Sequence, residues 1–355
     1  RFCRARQVEL VPCQNSFGHL QRFLSRPEYA ALADDPAQPS TLCPTDPASL
    51  RFVADLYDEL LPHFSSRRFN VCCDETQLGV GRSRAACRRK GVGRVYLEFL
   101  LKVYRLVKAR GRTMLCWGDI LQKHPELIPE LPKDLVLLEW GYESDHPFAS
   151  HCERIAQAGL PFYVCPGTSG WNSLGGRTAN ALANLINAAE NGLRHGACGF
   201  LNTDWGDCGY VQYPLASYLG LVFGAAVSWC CRANADLPIE PAVSRYAFDD
   251  PTGSLGRLAT ELGRVGEATG VHTSNASPLF CVLLDDPADP PRTAWFRSDG
   301  IGRAETQLDV VEGLFRRARF AGCEGRLLRT EFENTIALLR FACRRARHAI
   351  RKIET

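Results

Sequence analysis

The 355-residue sequence lacks three patterns that would assign it to a broad class at once. No run of apolar residues is long enough to span a bilayer, so no membrane partner is expected. Positive and negative side chains nearly balance at a net charge of +3, which predicts no nucleic-acid partner either. The chain opens at Arg1 without the charged and apolar leader of a signal peptide. We therefore expect a cytoplasmic protein.

The sequence also lacks the C-x-x-C spacing, although it contains sixteen cysteines. Most of them lie in apolar runs, where a free thiol behaves as a small hydrophobic side chain. This usage favours a reducing compartment over a disulfide scaffold. No other pair of residues has the spacing of metal ligands, so we expect neither a metal nor a cofactor.

One stretch places two acids at the end of an apolar run. Residues 69–73, FNVCC, are typical of a strand buried on both faces, and Asp74 and Glu75 follow directly. Neighbouring side chains of a strand point to opposite faces, so two cooperating acids must lie where the strand bends into its loop. Parallel α/β proteins build active sites at that end. The alternative is that Asp74 caps the next helix and Glu75 is solvated.

Strand-like and helix-like segments alternate along the first two thirds of the chain, which predicts a parallel sheet. Apolar strands with polar ends favour a (β/α)8 barrel of the TIM type, but only six strands are visible. The chain is therefore expected to begin after the first two. The predicted strands are residues 8–12, 69–73, 113–117, 135–140, 161–165 and 197–203, and the predicted helices are 20–33, interrupted near Pro27, one opened by Asp46 and Pro47, 95–109 and 178–194.

The composition changes after Trp229. Residues 234–251 are polar and contain prolines, which predicts a boundary between a barrel domain, 1–232, and a mainly helical C-terminal domain, 233–355. Helices are predicted at 255–269, 305–321 and 330–353, with an acidic, proline-rich loop at 285–291. The arginines from Arg344 onward are expected on a solvated helix face, with binding to an acidic surface as the alternative.

Aromatic and acidic side chains recur together at the ends of the predicted strands. Sugar C–H faces pack on aromatic rings and sugar hydroxyls donate to carboxylates, so this pairing predicts a carbohydrate site. The alternative is that the tryptophans belong to the core. In chain order, the side chains at the strand ends are Asn15 and His19; Asp74 and Glu75; Trp117 and Asp119; Glu139, Trp140 and Tyr142; Tyr163; and Asp204, Trp205 and Asp207.

Five of these motifs, taken in order, resemble glycoside hydrolase family 20, the β-N-acetylhexosaminidases, and most closely its intracellular hexosaminidase D-like branch. The resemblance extends over about residues 1–230 and implies a TIM-type barrel of which this chain carries strands three to eight. The motifs are Gly18-His19, the run from Phe69 to Asp74-Glu75, Trp117-Gly118-Asp119, Trp140, and Trp205-Gly206-Asp207.

The resemblance implies a retaining, exo-acting hydrolase of terminal β-linked N-acetylglucosamine or N-acetylgalactosamine. In this family the substrate's own 2-acetamido oxygen is the nucleophile. Glu75 is then the general acid and base, and Asp74 orients the acetamido group. The remaining implied contacts are substrate-binding ones: an orienting His19, the walls Trp117, Trp140 and Trp205, and the polar or aromatic side chains Asp119, Tyr163 and Asp207.

The sequence departs from the family pattern at several places. The arginine that the family carries on its first strand is expected upstream of Arg1, and nothing in this sequence replaces it. Cys165 stands where an acid is expected, and Trp171 or Asn172 are candidates to replace that acid. A second hypothesis is therefore an inactive sugar-binding protein on the same fold. A third is a thiol or metal protein built on Cys72, Cys73 and His19, although adjacent cysteines are poorly placed to hold one tetrahedral ion.

Overall fold

The computed structural model describes residues 2–286 and 295–354, which form two compact units. The first unit comprises Arg1–Trp140, Phe148–Val164 and Gly192–Gly199, and the second comprises Gly141–Pro147, Cys165–Asn191 and Phe200–Thr355. The domain boundary after residue 232 stays a prediction from composition. Residues 287–291 of the predicted acidic loop lie outside the described residues.

Five strands form a sheet in which each strand lies beside the one that precedes it in the chain. The first three are parallel, with Asn70 opposite Leu115 and Leu115 opposite Val136. Helices occupy the connections, which is the arrangement of a partial TIM-type barrel, so the predicted fold class is confirmed. The strands are β1 Arg68–Asn70, β2 Thr113–Trp117, β3 Val136–Trp140, β4 Phe162–Cys165 and β5 Gly199–Phe200.

The first predicted strand is wrong in detail. Residues 8–12 form no regular strand, and the segment meets the sheet through one isolated parallel bridge, Cys13 to Asn70. The Asn70 N–H donates to the Pro12 carbonyl at 3.0 Å, but Pro12 has no N–H to extend the ladder. The last predicted strand is also shorter, since only Gly199–Phe200 is regular and Thr203 forms a separate bridge.

The helices agree with the sequence where local signals are strong. The Asp46 carboxylate accepts the Ala48 N–H at 2.8 Å, and Pro47 opens the helix Pro47–Leu60 as predicted. The predicted 20–33 helix is instead two short pieces, α2 and a 3-10 turn at Ala30–Leu32. The α-helices are α1 Phe2–Ala5, α2 Gln21–Leu24, α3 Pro47–Leu60, α4 Arg84–Lys90, α5 Val92–Ala109, α6 Asp119–Lys123, α7 Phe148–Gln157, α8 Thr178–Arg194, α9 Leu215–Asn234, α10 Ile239–Ala247, α11 Ser254–Gly263, α12 Pro278–Leu284, α13 Ser298–Arg317 and α14 Gly325–Glu354.

An aromatic cluster in the first unit fixes the segment that follows Cys13. The ring of Phe17 lies 5.5 Å from Tyr96 and 4.3 Å from Phe99 of α5, centroid to centroid. Phe17, Tyr96 and Phe99 are fully buried or nearly so. Moving Phe17 would expose apolar surface to water, at a free-energy cost of about 25 cal/mol for each Å² exposed. The packing therefore anchors Gly18 and His19 near the end of β1.

The second unit has a helical core of its own, in which Leu258, Leu308 and Phe332 are fully buried. The polar segment predicted as a boundary contains α10, whose Val243 also joins this core. Among the described residues one helix, α9, is long and apolar enough to cross a membrane by length and composition alone, a criterion that the sequence analysis expects no segment to meet. Half of its most apolar window is buried, and a core helix meets the same criterion.

Candidate active site

The chain leaves β1 through a turn in which three side-chain-bearing residues adopt left-handed backbone angles. The φ values are 60° at Cys72, 69° at Cys73 and 48° at Glu75. Each such conformation costs roughly 1 kcal/mol or more for a residue with a Cβ and persists only where the surroundings impose it. The turn is therefore a place where backbone strain is held next to the two predicted catalytic acids.

Hydrogen bonds from neighbouring elements hold this turn in place. The Asn70 side chain accepts the Cys72 N–H at 2.9 Å, and the Cys72 carbonyl accepts the Trp117 N–H at 3.0 Å. The hydroxyl of Tyr96, a fully buried residue of α5, donates to the Cys73 carbonyl at 2.9 Å. Because the bonds from Trp117 and Tyr96 come from two other elements of the unit, tertiary structure helps to fix the turn.

The Gly18-His19 motif approaches the turn more closely than any side-chain-bearing residue could in place of Gly18. A Cβ at Gly18 would lie 2.4 Å from the Asp74 carbonyl oxygen, well inside van der Waals contact. This close approach is the physical reason for glycine at that position. It allows His19, itself left-handed at φ 56°, to face the acids.

His19 joins both acids. Its Nε2 lies 3.3 Å from Asp74 Oδ2 and 3.3 Å from Glu75 Oε2. The side chain of Asp74 is 16% exposed and that of Glu75 is 56% exposed, with His19 between them at 37%. The hydrogen bond to Asp74 raises the pKa of His19 above its usual 6.5, although burial opposes the shift. The two carboxylates thus favour the protonated form of His19.

Asp119, the first residue of α6, holds the backbone of the general-acid candidate. Its Oδ2 accepts the Glu75 N–H at 3.1 Å, while its Oδ1 is buried and has no hydrogen-bond partner among the described residues. Burial raises the pKa of Asp119 to about 6, and the bond from the Glu75 N–H partly offsets that rise. The structure therefore brings four predicted site residues together: His19, Asp74, Glu75 and Asp119.

Three further predicted residues lie on the neighbouring strands of the first unit. Trp117 ends β2 and is 4% exposed, and Trp140 ends β3 in a half-buried position. The ring of Tyr163 on β4 packs on Gly199 of β5, where a Cβ would lie 2.4 Å from the ring. Their contacts with a sugar stay predictions.

The remaining predicted residues, Trp205 and Asp207, lie in the second unit with partners there. The Trp205 Nε1–H donates to the Tyr142 hydroxyl at 2.9 Å, and Asn172 Nδ2 lies 3.4 Å from Asp207 Oδ2. The ring of Tyr142 meets the buried Trp171 edge-on at 5.0 Å. The sequence analysis names Tyr142 at a strand end but predicts no contact for it. The local signal that could have indicated its contact with Trp205 is its position two residues after Trp140.

The vicinal cysteines do not act as one ligand pair. The Cys73 thiol donates to the Val71 carbonyl at 3.4 Å, whereas Cys72 Sγ lies 3.2 Å from Cys13 Sγ. His19, the third member of the hypothetical metal site, faces the two carboxylates. Among the described residues no cluster of three metal-ligand side chains contains Cys72, Cys73 or His19.

Comparison with known proteins agrees with the sequence motifs. The family model described as "Glycosyl hydrolase family 20, catalytic domain" matches residues 1–171. Hexosaminidase D of Homo sapiens is 29% identical over 172 residues, which are 44% of this chain and 35% of that protein. Hexosaminidase D of Bos taurus is 29% identical over 168 residues, 43% of this chain and 48% of that protein. The matches thus span less than half the length of these curated relatives.

A solved structure supports the fold. The chitobiase FjGH20 of Flavobacterium johnsoniae aligns with 98% of this chain and 60% of its own, at a TM-score of 0.53 and 13% identity. The family match ends at residue 171, so the expected motif Trp205-Gly206-Asp207 lies beyond it and stays a prediction. Residues 1–171, which carry His19, Asp74, Glu75 and Asp119, therefore match the catalytic-domain model of glycosyl hydrolase family 20 and are similar to part of the hexosaminidase D proteins.

Proposed function

We propose that the chain is a retaining exo-β-N-acetylhexosaminidase that removes terminal β-linked N-acetylglucosamine or N-acetylgalactosamine by substrate-assisted catalysis. The observation that carries this proposal is the contact of His19 Nε2 with Asp74 Oδ2 and Glu75 Oε2, both at 3.3 Å. His19 and Asp74 belong to two separate family motifs and lie 55 positions apart in the sequence, yet their side chains are in contact.

Glu75 is the proposed general acid and base. Its side chain is the most exposed of the three, so it can reach the leaving oxygen of a bound glycoside. Protonation of that oxygen accompanies cleavage of its bond to the anomeric carbon, while the 2-acetamido oxygen attacks the same carbon. Glu75 then takes a proton from the water that opens the cyclic intermediate, and the anomeric configuration is retained.

Asp74 is the proposed orienting carboxylate. At 16% exposure it is held close to the backbone turn, and it can accept the acetamido N–H while offsetting the positive charge of the cyclic intermediate. His19 supports both acids as a cation, and the Asp119 bond to the Glu75 N–H fixes where the acid projects. No metal or cofactor enters this scheme.

The sugar contacts of the outer residues form part of the same proposal. Trp117 and Trp140, at the ends of β2 and β3, are assigned to the walls of the sugar site, and Tyr163 on β4 is assigned to a further substrate contact. The roles of Trp205 and Asp207 as a wall and a hydroxyl acceptor come from the family resemblance alone. A fluorescence titration with N-acetylglucosamine on Trp117→Phe and Trp140→Phe tests the nearer walls, with the exposed Trp229→Phe as control.

A second candidate is a sugar-binding protein without turnover. The observation that favours it is Cys165, a fully buried thiol at the position where the family pattern has an acid. This candidate shares the sugar ligand and differs only in chemistry, so a binding measurement combined with a rate measurement separates the two.

The test uses 4-nitrophenyl N-acetyl-β-glucosaminide and the corresponding galactosaminide. We expect turnover by the chain and a loss of about a thousandfold in kcat for Glu75→Gln, within the usual range for general acid–base groups. Glu28→Gln, an exposed carboxylate of the same unit, is the matched control and is expected to keep full activity. Calorimetric binding of N-acetylglucosamine without turnover selects the second candidate, and neither binding nor turnover overturns both.

Substrate assistance has a test of its own. An N-trifluoroacetyl substrate carries a weaker carbonyl nucleophile, so its kcat is expected to fall at least about tenfold with a similar KM. A 2-hydroxy glucoside, which has no acetamido group, is expected not to react. Asp74→Asn is expected to lower kcat by about a hundredfold. In this variant the difference in kcat between the N-acetyl and the N-trifluoroacetyl substrate is also expected to be smaller than in the wild type. Equal rates for the N-acetyl, N-trifluoroacetyl and 2-hydroxy substrates would contradict catalysis by the substrate's acetamido group.

A cytoplasmic location fits the thiol content, since no disulfide joins the cysteines that the structure describes. Fractionation of expressing cells tests this part. Recovery of the active protein from the oxidising secretory pathway would contradict it.

A further inference from the structure

Two cysteines that lie far apart in the sequence meet beside the acid pair. Cys13 Sγ lies 3.2 Å from Cys72 Sγ, although 59 positions separate them. Cys13 is an exposed residue, whereas Cys72 is 4% exposed. The parallel bridge between Cys13 and Asn70 holds the two chain segments side by side, so the contact follows from the sheet edge and not from flexible side chains.

The two thiols differ in character. The hydrogen bond from the Cys72 thiol lowers the pKa of Cys13, against the opposing effects of burial and of the Asp74 charge. The same bond and burial raise the pKa of Cys72. Cys13 is thus the exposed residue of the pair and the one whose thiolate form the contact favours, and Cys72 is the buried neighbour whose protonated form it favours. This is the arrangement of an attacking and a resolving thiol.

We propose that Cys13 and Cys72 form a peroxide-reactive thiol pair that closes to a reversible disulfide next to Asp74 and Glu75. This site is distinct from the hypothesis of a thiol protein on Cys72 and Cys73, since it uses Cys13 and leaves the Cys73 thiol on the Val71 carbonyl.

The chemistry balances with hydrogen peroxide as the oxidant. The Cys13 thiolate attacks one peroxide oxygen, the O–O bond breaks, and hydroxide leaves with a sulfenic acid on Cys13. Cys72 sulfur then attacks Cys13 sulfur, the S–O bond breaks, and water leaves as the S–S bond forms. The two sulfurs together lose two electrons and two protons, and one peroxide becomes two waters. A dithiol reductant returns both thiols by exchange.

The disulfide acts on the turn that carries the acids, and this consequence rests on the proposed function. A disulfide bond is about 2.05 Å long, so the sulfurs must approach by more than 1 Å. Cys72 is held by its hydrogen bonds to Asn70 and Trp117, so its movement shifts the strained turn two residues before Asp74. Displacement of catalytic groups by about 1 Å can cost up to a hundredfold in rate. We expect the oxidised chain to turn over substrate at least about tenfold more slowly.

The modification itself is measured without reference to activity. After treatment with a small excess of hydrogen peroxide, alkylation and non-reducing trypsin digestion, we expect residues 7–22 joined to residues 69–82, about 2 Da lighter than the two peptides together. Both Cys72 and Cys73 lie in the second peptide, so fragmentation must place the bridge on Cys72. Cys13→Ser is expected to abolish the species and Cys323→Ser, another exposed cysteine, to leave it. A bridge through Cys73, or no bridge, overturns the proposal.

Rate measurements then separate the modification from the proposed function. The expected result is a tenfold or greater loss of turnover on oxidation, recovery with dithiothreitol, and resistance of Cys13→Ser to the same treatment. A disulfide that forms while turnover is unchanged overturns the effect on the acid pair. A disulfide that forms in a chain inactive even when reduced supports the thiol pair and counts against the hydrolase.

Discussion

The backbone N–H of Glu75 donates to Asp119 Oδ2 at 3.1 Å, although Glu75 follows β1 and Asp119 follows β2. The other oxygen of the same carboxyl, Oδ1, is buried with no hydrogen-bond partner among the described residues. Asp119 therefore holds the left-handed backbone at Glu75 with one oxygen, while the burial of the other makes the ionised form costly. A positioning carboxylate with one oxygen hydrogen-bonded and the other buried without a partner is expected to make stability depend on pH.

Asp119→Asn is expected to stabilise the protein at neutral pH and to have little effect in acid. The pKa of Asp119 rises from 3.8 to about 6 on folding. The stability that goes with the protonated form is fully present below pH 3.8 and is lost as the pH rises through 6, so the ionised wild type is penalised above that. Asparagine keeps an oxygen for the Glu75 N–H without a charge. We expect a gain of about 1–3 kcal/mol in the free energy of unfolding at pH 8.

Urea denaturation at pH 4, 6 and 8 measures this difference. Asp134→Asn is the control with the opposite sign, since Lys108 and Tyr104 lower the pKa of Asp134 and its stabilisation is lost as the pH falls. A gap between Asp119→Asn and wild type that does not vary with pH would contradict the role of ionisation.

His19→Gln is expected to lower both kcat and stability, the latter mainly at low pH. The pKa of His19 is raised above 6.5 by its bond to Asp74. Its contribution to stability is therefore fully present below pH 6.5 and is lost as the pH rises through the raised value. Without the cation beside two carboxylates, kcat is expected to fall about tenfold at pH 6.

Chemical denaturation and the pH profile of kcat/KM test the role of His19 together. The free-energy gap between wild type and His19→Gln is expected to narrow from pH 5.5 to pH 8.5. The exposed His63→Gln, in the same unit, is the matched control and is expected to show no such trend. A gap that widens with pH would mean that His19 acts as a neutral group.

Sequence reasoning succeeds at this protein where the signal is local. Asp46 and Pro47 specify the start of α3, and the run 178–194 predicts α8 with its observed ends. The position of Asp74 and Glu75 beyond the first regular strand also follows from pattern alone, because an apolar run of strand length ends directly before them.

The remainder depends on contacts that no local pattern encodes. Cys72 and Cys73 belong to a predicted strand by composition, yet tertiary hydrogen bonds from Trp117 and Tyr96 to their carbonyls hold both in left-handed turns. Residues 8–12 are predicted as a strand, but Pro12 and a single bridge at Cys13 leave them irregular. The meeting of Cys13 with Cys72 and the support of Cys73 by Tyr96 join positions far apart in the chain.

Tyr96→Phe is expected to weaken the active-site turn without a large change in the core. The substitution removes only the hydroxyl that donates to the Cys73 carbonyl at 2.9 Å and leaves that buried acceptor unsatisfied. The free energy of unfolding is expected to fall by about 1–3 kcal/mol. Because the lost bond restrains the residue before Asp74, kcat is expected to fall several-fold with KM little changed.

Tyr104→Phe provides the matched control, since its hydroxyl donates to Asp134 at an exposed position on the same helix, α5. This variant is expected to cost less than about 1 kcal/mol and to keep its kcat. Equal losses of stability and rate in the two variants would mean that the Cys73 carbonyl is not a restraint on the catalytic turn.

Gly18→Ala tests whether the approach of the Gly18-His19 segment to Asp74 is as close as the structure has it. The added Cβ would lie 2.4 Å from a backbone oxygen, which has no rotamer through which to move away. We expect a loss of about 1–3 kcal/mol in the free energy of unfolding from the displaced backbone. His19 moves with Gly18, so kcat is expected to fall. The pH dependence of stability that His19 supplies is expected to weaken as well.

Gly302→Ala is the control. Gly302 lies within α13, and the nearest atom to an added Cβ there is 3.8 Å away, so this variant is expected to be neutral or stabilising. A Gly18→Ala variant with the stability and rate of the wild type would show that the segment lies farther from the acids, and the His19 contacts with Asp74 and Glu75 would have to be abandoned with it.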